Sequence, residues 1–271
     1  MLDVSYAQAP GDAHVIQFPD QKVFVIDLGS ANRSVVSYLK KAGINRIEAV
    51  IITHFHYDHY EGIFALLRSG IAIGKVYWNP PHEEICRKEE PWGCRINDIK
   101  RVTQSLLVAG VPAVEVRAGD TLYSSGVSSL RCLYAYNGIN TPFGKTDIND
   151  TSVILKLVHG NVSALLTGDA NAPLGKYLAV HGEQLKSDIL KVPHHGVESV
   201  APNEFFDAVH AKTALVPTSV ELWSGERAKR IRQYFERNQT DVFVNGIHGD
   251  IEVVMEVNAY RVINSRPTAS R

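Results

Sequence analysis

The sequence predicts an α/β fold in which two sheets pack face to face with helices on their outer sides. Short apolar strands alternate with amphipathic helices in the N-terminal half, and the alternation repeats in the C-terminal half. No linker rich in Gly, Ser or Pro separates the halves, so residues 1–263 are read as one domain followed by a polar, frayed tail over 264–271. At 271 residues and 45% hydrophobic, the chain is long enough for one large buried core.

The elements follow in order. Ala13 to Phe18 and Lys22 to Leu28 are apolar runs joined by Pro19-Asp20-Gln21, a hairpin signal. Asn32 to Ala42 carries Val35, Val36, Leu39 and Ala42 at helical spacing and is closed by Gly43. Ile47 to Thr53 is an unbroken apolar run, as a strand buried on both faces requires. Glu61 to Ser69 reads as a helix ended by Gly70, Pro80 to Pro91 as an insertion loop, and Asp98 to Ala109 as an amphipathic helix. In the second half, Val153 to Val158 and Val162 to Leu166 form a hairpin about His159-Gly160-Asn161. Asp188 to Val192 and Thr213 to Val216 are strands, Gly225 to Arg237 is a basic helix, and Asp241 to Val244 with Ile251 to Val257 finish the sheet.

A net charge of −1 gives no bulk attraction for nucleic acid, although a local basic patch remains compatible with it. Cys86, Cys94 and Cys132 are too few for a disulfide framework, and Cys-x7-Cys is not a usual zinc spacing, so buried or loop thiols are expected. The start shows no signal-peptide pattern and no segment approaches a membrane span, which reads as cytoplasmic.

The chemistry concentrates at Thr53-His54-Phe55-His56-Tyr57-Asp58-His59, four metal-binding side chains within six positions just after an apolar strand. Alternation sends His54 and His56 to the same side of an extended backbone, while Asp58 and His59 on a turning segment diverge towards a second site. Imidazole and carboxylate together suit zinc and its neighbours.

His-x-His-x-Asp-His after an apolar strand resembles the metallo-β-lactamase superfamily signature. Leu2-Asp3-Val4, Gly11-Asp12-Ala13 and Val25-Ile26-Asp27-Leu28-Gly29 resemble the opening of the soluble hydrolase domain of ComEC-type competence proteins and their free-standing relatives. Asn149-Asp150-Thr151-Ser152-Val153, Leu166-Thr167-Gly168-Asp169 and Leu190-Lys191-Val192-Pro193-His194-His195-Gly196 match the same group in order. The resemblance implies a four-layer αββα sandwich and two divalent metal ions, Zn²⁺ first and Mn²⁺ second. By the same resemblance His54 and His56 hold one metal, Asp58 and His59 the other, and Asp169 bridges them. The second site takes one more histidine, either His194, with His195 facing the substrate, or the reverse. Where many members place a third histidine for the first metal, this chain has Asn149 and Asp150; either Asp150 is an oxygen ligand or both serve turns. Asp27, at a strand end, either organises the metal loop by hydrogen bonds or is a plain strand-end carboxylate.

The resemblance implies hydrolysis by water ionised between two metals, with Asp58 accepting its proton and His195 protonating or orienting the leaving oxygen. It points to a phosphodiester bond in a nucleic acid or nucleotide. Arg227, Lys229, Arg230, Arg232 and Arg237 offer phosphate contacts or a solvated basic face, and Tyr77, Trp78, Trp92 and Trp223 offer base stacking or core packing. Lactone, lactam or thioester hydrolysis, and a metal-stabilised interaction module without turnover, are the other readings.

Overall fold

The computed structural model describes residues 1–4, 11–30, 35–89, 93–138, 147–197 and 199–266. Two sheets form its centre. The first runs Ala13–Gln17, Val23–Leu28, Ala49–Ile51, Val76–Trp78, Ala113–Glu115, its first pair antiparallel and the rest parallel. The second runs Asp241–Val244, Thr213–Val216, Ile189–Lys191, Val162–Leu166, Ile154–His159, Ser128–Tyr134, Thr121–Ser125; its first four strands are parallel and the remainder antiparallel.

Strand alternation sorts the side chains into layers. Phe24 and Ile26, Ala49 and Ile51, Leu155 and Leu157, Ala164 and Leu166, Ile189 and Leu215 meet between the sheets. Their neighbours Val25 and Val50 face Leu39, Ile63, Leu66, Val102 and Leu106 on the outer side of the first sheet. Leu165, Leu190, Ala214 and Val216 face Leu174, Phe205, Ile231 and Phe235 on the outer side of the second. Helices Val36–Lys41, Ile63–Leu67 and Ile96–Val108 make one outer layer, and Ala172–Ala179, Asn203–Val209 and Lys229–Arg237 the other. This is the expected αββα sandwich. Among the described residues no helix is long and apolar enough to cross a membrane.

Four expectations need correction. The segment read as an insertion loop contains the helix Glu83–Arg87, whose Ile85 and Cys86 are buried. Cys86 and Cys94 form a disulfide, and only Cys132 among the cysteines is free and buried. Ile251–Met255 does not extend the second sheet but pairs antiparallel with Tyr260–Asn264 as a separate ribbon. Its first residue is taken by the N-terminus: the Ile251 amide donates to the Met1 carbonyl, and the Met1 ammonium donates to the Ile251 carbonyl at 2.8 Å. The ribbon also ties down the start of the polar tail, because the Ser265 amide donates to the Asp250 carbonyl and Arg266 pairs with Asp3 at 2.9 Å. Residues 267–271 lie outside the described residues.

Candidate metal centre

The motif residues, Asp169 and His195 sit at or just beyond the carboxyl ends of strands, on one edge of the sandwich. The His54–His59 segment follows Ala49–Ile51, Asp169 follows Val162–Leu166, and His195 follows Ile189–Lys191. Loops at the carboxyl ends of parallel strands converge on the crevice where open α/β sheets bind ligands. The Val153 amide donates to the Thr53 carbonyl, which stitches the two sheets together beside the site.

Two glycine positions are dictated by this closeness. At Gly168 φ is +49°, and a Cβ there would lie 2.6 Å from Ser152 Oγ and 3.1 Å from Thr53 Cβ. Gly196 closes the turn in which His194 (φ 46°), His195 (φ 54°) and Gly196 (φ 71°) are all left-handed. Such backbone costs of order 1–2 kcal/mol per non-glycine residue and persists only where the surroundings impose it. Here it turns the buried His195 ring back between the sheets.

The resulting cluster is tight. His59 Nε2 lies 3.3 Å from Asp169 Oδ2 and 3.9 Å from Asp58 Oδ2. His195 Nε2 lies 3.1 Å from Asp169 Oδ2 and 3.4 Å from Asp58 Oδ2. Ligand atoms of His54, His59 and Asp169 lie within 4.8 Å of one another, as do those of Asp58, His59 and His195. Asp12 joins two further groups, one with Asp169 and His195 and one with Asp27 and His59.

Hydrogen bonding commits one ring nitrogen of each of four site histidines and leaves the other for the cluster. Thr53 Oγ1 spends its hydrogen on Asp27 Oδ2 at 2.7 Å, so it accepts from His54 Nδ1–H at 3.2 Å. His59 Nδ1 donates to Asp27 Oδ2 at 2.8 Å, and His195 Nδ1 donates to the Pro217 carbonyl at 2.9 Å. His56 Nε2 donates to Glu89 Oε2 at 2.9 Å. The Nε2 atoms of His54 and His59 are buried with no hydrogen-bond partner. A histidine pinned through one nitrogen, with the other facing a carboxylate cluster, is the arrangement metal-binding histidines adopt. The residues therefore fit divalent cations.

Four buried carboxylates, Asp12, Asp27, Asp58 and Asp169, face one buried ammonium, that of Lys191. Lys191 Nζ contacts Asp12 Oδ2, lies 3.3 Å from Asp169 Oδ1, and donates to the Gly168 carbonyl at 2.6 Å. Burial pulls its pKa down, but Asp12 and Asp169 outweigh that and hold it above the usual value. The carboxylate excess also acts on the histidines. Against burial, Asp169 and Asp27 hold His59 well above its ordinary value, and Asp169 and Asp58 push His195 up to about 10. The cluster thus favours positive charge, which two divalent cations would supply in place of those protons.

The description "Metallo-beta-lactamase superfamily" belongs to the family model that matches residues 7–131. The metallo-beta-lactamase fold protein YhfI from Bacillus subtilis superposes with a TM-score of 0.57 at 12% identity, covering 90% of this chain and 94% of its own. The chain has the metallo-β-lactamase fold. ComE operon protein 3 of Bacillus subtilis (strain 168) is 24% identical over 222 residues, which is 80% of this chain but 26% of that protein. Hydroxyacylglutathione hydrolase of Vibrio cholerae is 30% identical over 142 residues, covering 46% of this chain and 53% of that protein. The chain therefore spans about a quarter of the first relative and about half of the second.

Within this metallo-β-lactamase fold, the structure brings His54, Asp58, His59, Asp169 and His195 together. Neither His56 nor His194 enters these groups of three ligand atoms, but His194 Nδ1 is buried without a hydrogen-bond partner and feels the charges of Asp169, His195 and His56, with burial lowering its pKa to about 4. The left-handed turn brings the second histidine of the pair within 3.4 Å of Asp58 and 3.1 Å of Asp169. Asp150 is likewise outside those groups. Its Oδ1 accepts from the Asn171 and Leu174 amides at 3.0 and 3.2 Å and so serves the N-terminus of Ala172–Ala179, while its Oδ2 is buried without a hydrogen-bond partner. Burial and the neighbouring Asp147 raise its pKa to about 7. His56 stands beside His54, ring centroids 4.8 Å apart, at the more exposed side of the cluster.

Three cations of the basic helix have partners within the chain. Arg230 donates to the Val200 and Ala201 carbonyls and to Asn203; Arg232 donates to the Trp223 and Gly225 carbonyls; Lys229 pairs with Glu226. Trp78 and Trp223 are buried in the core, and Trp92 lies outside the described residues. Sequence reasoning missed Asp12, Lys191 and Glu89. Lys191 carried a signal, because a lysine in an apolar strand one turn before a histidine pair demands a buried partner.

Proposed function

We propose that the chain is a dinuclear metal-dependent hydrolase that cleaves phosphodiester bonds in a nucleic acid or nucleotide. One observation carries the metal part: four histidines are each pinned through one ring nitrogen, and the Nε2 atoms of His54 and His59 are orphaned beside Asp169. On this reading His54, His56 and Asp169 hold the first cation, and Asp58, His59, Asp169 and His195 the second. Zinc is the expected metal, with manganese admitted by the oxygen donors. Bound there, divalent cations lower the pKa of water and polarise a substrate oxygen.

The remaining roles belong to the chain. His59 and Asp169 are sealed from solvent, whereas His56 and Asp58 keep 19% and 11% of their side chains exposed, so substrate approaches past these two. Asp58 stays ionised, because His59 and His195 outweigh its burial, and its carboxylate is available to accept a proton from the attacking water. His195, with Nδ1 committed to Pro217, is assigned as a ligand rather than as the acid for the leaving group. The phosphodiester class rests on the resemblance of the motifs running from Leu2 to Gly196 to the hydrolase domain of ComEC-type proteins. A thioester reading is supported by the likeness to hydroxyacylglutathione hydrolase over 142 residues.

Metal analysis combined with hydrolysis of bis(p-nitrophenyl) phosphate tests the proposal. Wild type is expected to bind two metals and turn the diester over, while Asp58→Ala and Asp169→Ala abolish turnover. Full metal with turnover of a hydroxyacylglutathione alone would establish the thioester reading instead. Metal uptake with no hydrolysis of either would leave a binding module.

A further inference from the structure

We propose that Glu89, carried on the loop closed by the Cys86–Cys94 disulfide, is a positioning residue for the first cation, and that its hold on His56 couples affinity at that site to the redox state of the two cysteines. The inference rests on the metal reading above and adds a residue and a control to it.

The geometry is specific. A carboxylate only accepts hydrogen bonds, so Glu89 Oε2 at 2.9 Å from His56 Nε2 requires the proton on Nε2 and leaves the lone pair on Nδ1. Glu89 Oε1 accepts from the Ile148 amide at 3.0 Å, so both oxygens are committed and the carboxylate is held at two points. His56 is the one histidine of the motif whose partner comes from outside the sandwich core. His54 and His59 are set by Thr53 and Asp27, and His195 by Pro217.

The loop explains how a glutamate side chain, which loses about 1.5–2 kcal/mol of rotamer freedom when fixed, is kept in place. Cys86 is in the helix Glu83–Arg87 and packs with Cys94 in the core beneath the first sheet. The Glu89 amide donates to the Cys86 carbonyl at 3.0 Å, and the Gly93 amide donates to the Glu89 carbonyl at 3.0 Å. Glu89 is therefore bonded to backbone on both sides of the crosslink. Gly93 adds an independent sign of close fit: a Cβ there would overlap Glu89 Oε2 and lie 3.1 Å from His56 Nε2. Opening the disulfide takes two electrons and two protons from a dithiol, which itself becomes a disulfide; the two thiols then hold the loop only through its hydrogen bonds.

The test uses the full chain, stripped of metal and titrated with Co²⁺, whose visible absorption reports ligand number and histidine ligation. Wild type should bind two ions. Glu89→Ala should weaken one site by about 10–100-fold and leave the other unchanged. Glu89→Gln, whose amide oxygen still accepts from Nε2–H, should recover most of that loss. Gly93→Ala, which keeps Glu89 but displaces its carboxylate, should behave like Glu89→Ala. Treating wild type with a dithiol should weaken the same site, and the treatment should add nothing in Glu89→Ala. Unchanged affinity at both sites in Glu89→Ala would overturn the positioning role, and a wild-type titration indifferent to dithiol would overturn the redox coupling. A wild type that binds no ion would instead overturn the metal reading itself. The dithiol arm needs no substitution, so misfolding of a variant does not protect the proposal.

Discussion

Replacing Lys191 with Met is the perturbation that most directly probes the charge balance of the site. The Lys191 side chain is 1% exposed, and its ammonium touches Asp12 and stands 3.3 Å from Asp169. Methionine matches its length and apolar stem but leaves two buried carboxylates without their cation. Removing one partner of a buried ion pair costs about 3–5 kcal/mol, most of it the unpaired charge left behind. For a chain of this size each kcal/mol lowers Tm by about 2–4 °C, so metal-free Lys191→Met should melt about 6–20 °C below metal-free wild type. Metal saturation should narrow the gap, because bound cations would face Asp169 in place of the ammonium. Differential scanning calorimetry of both proteins, in chelator and with saturating Zn²⁺, reads both quantities. A gap below about 2 °C in chelator would show that the lysine does not balance these carboxylates, and a gap that widens with metal would refute the substitution of one cation for another.

Asp27→Asn should weaken metal binding by about 10–100-fold without removing a ligand, since the amide cannot accept from Thr53 and His59 together; competition with a chromogenic chelator measures it. His195→Ala should lose affinity for one cation, whereas His194→Ala should retain both, as inductively coupled plasma analysis after gel filtration would show. The raised pKa of Asp150 means the folded chain holds its proton more tightly than the unfolded chain. Its contribution to stability is present in full below about pH 4 and is lost as pH rises through about 7. Asp150→Asn should accordingly flatten the fall in Tm between about pH 5 and about pH 8. Arg232→Ala should cost about 1–3 kcal/mol in urea unfolding, by stranding the Trp223 and Gly225 carbonyls, with KM for a diester unchanged.

The layers of the fold were legible because they follow from local pattern. Val23–Leu28 and Ala49–Ile51 are apolar throughout since both faces of the first sheet are covered, and periodicity alone exposes such strands. The ribbon Ile251–Met255 was misplaced because alternation reports that a strand exists and says nothing of its neighbour. In the site, His54, Asp58 and His59 were legible as candidates since potential ligands crowded into one short motif announce themselves, whereas Asp169 was reached only through the family resemblance. His194 and His195 were not separable, because only the left-handed turn decides which ring faces inward. The helix-end role of Asp150 was hidden for a different reason. Its side chain suits a metal and a helix end equally, and the two amides it accepts lie 21 and 24 residues away. Glu89 reaches the cluster through tertiary contact from a segment whose local sequence carries no mark of it, and Asp12 stood in a recognised motif with no role attached.

The sharing of the cluster between the two sheets has a mechanical consequence. His54, Asp58 and His59 hang from one sheet, Asp169 and His195 from the other, and the two groups are separated by more than a hundred residues of chain. A cation held by both, as proposed, would act as a rivet through the sandwich, closing a loop whose entropy cost rises only slowly with its length. Prying the sheets apart would break coordination before it breaks either sheet. Metal release and separation of the layers should then occur as one event, with resistance to mechanical or thermal opening rising with the logarithm of free metal concentration.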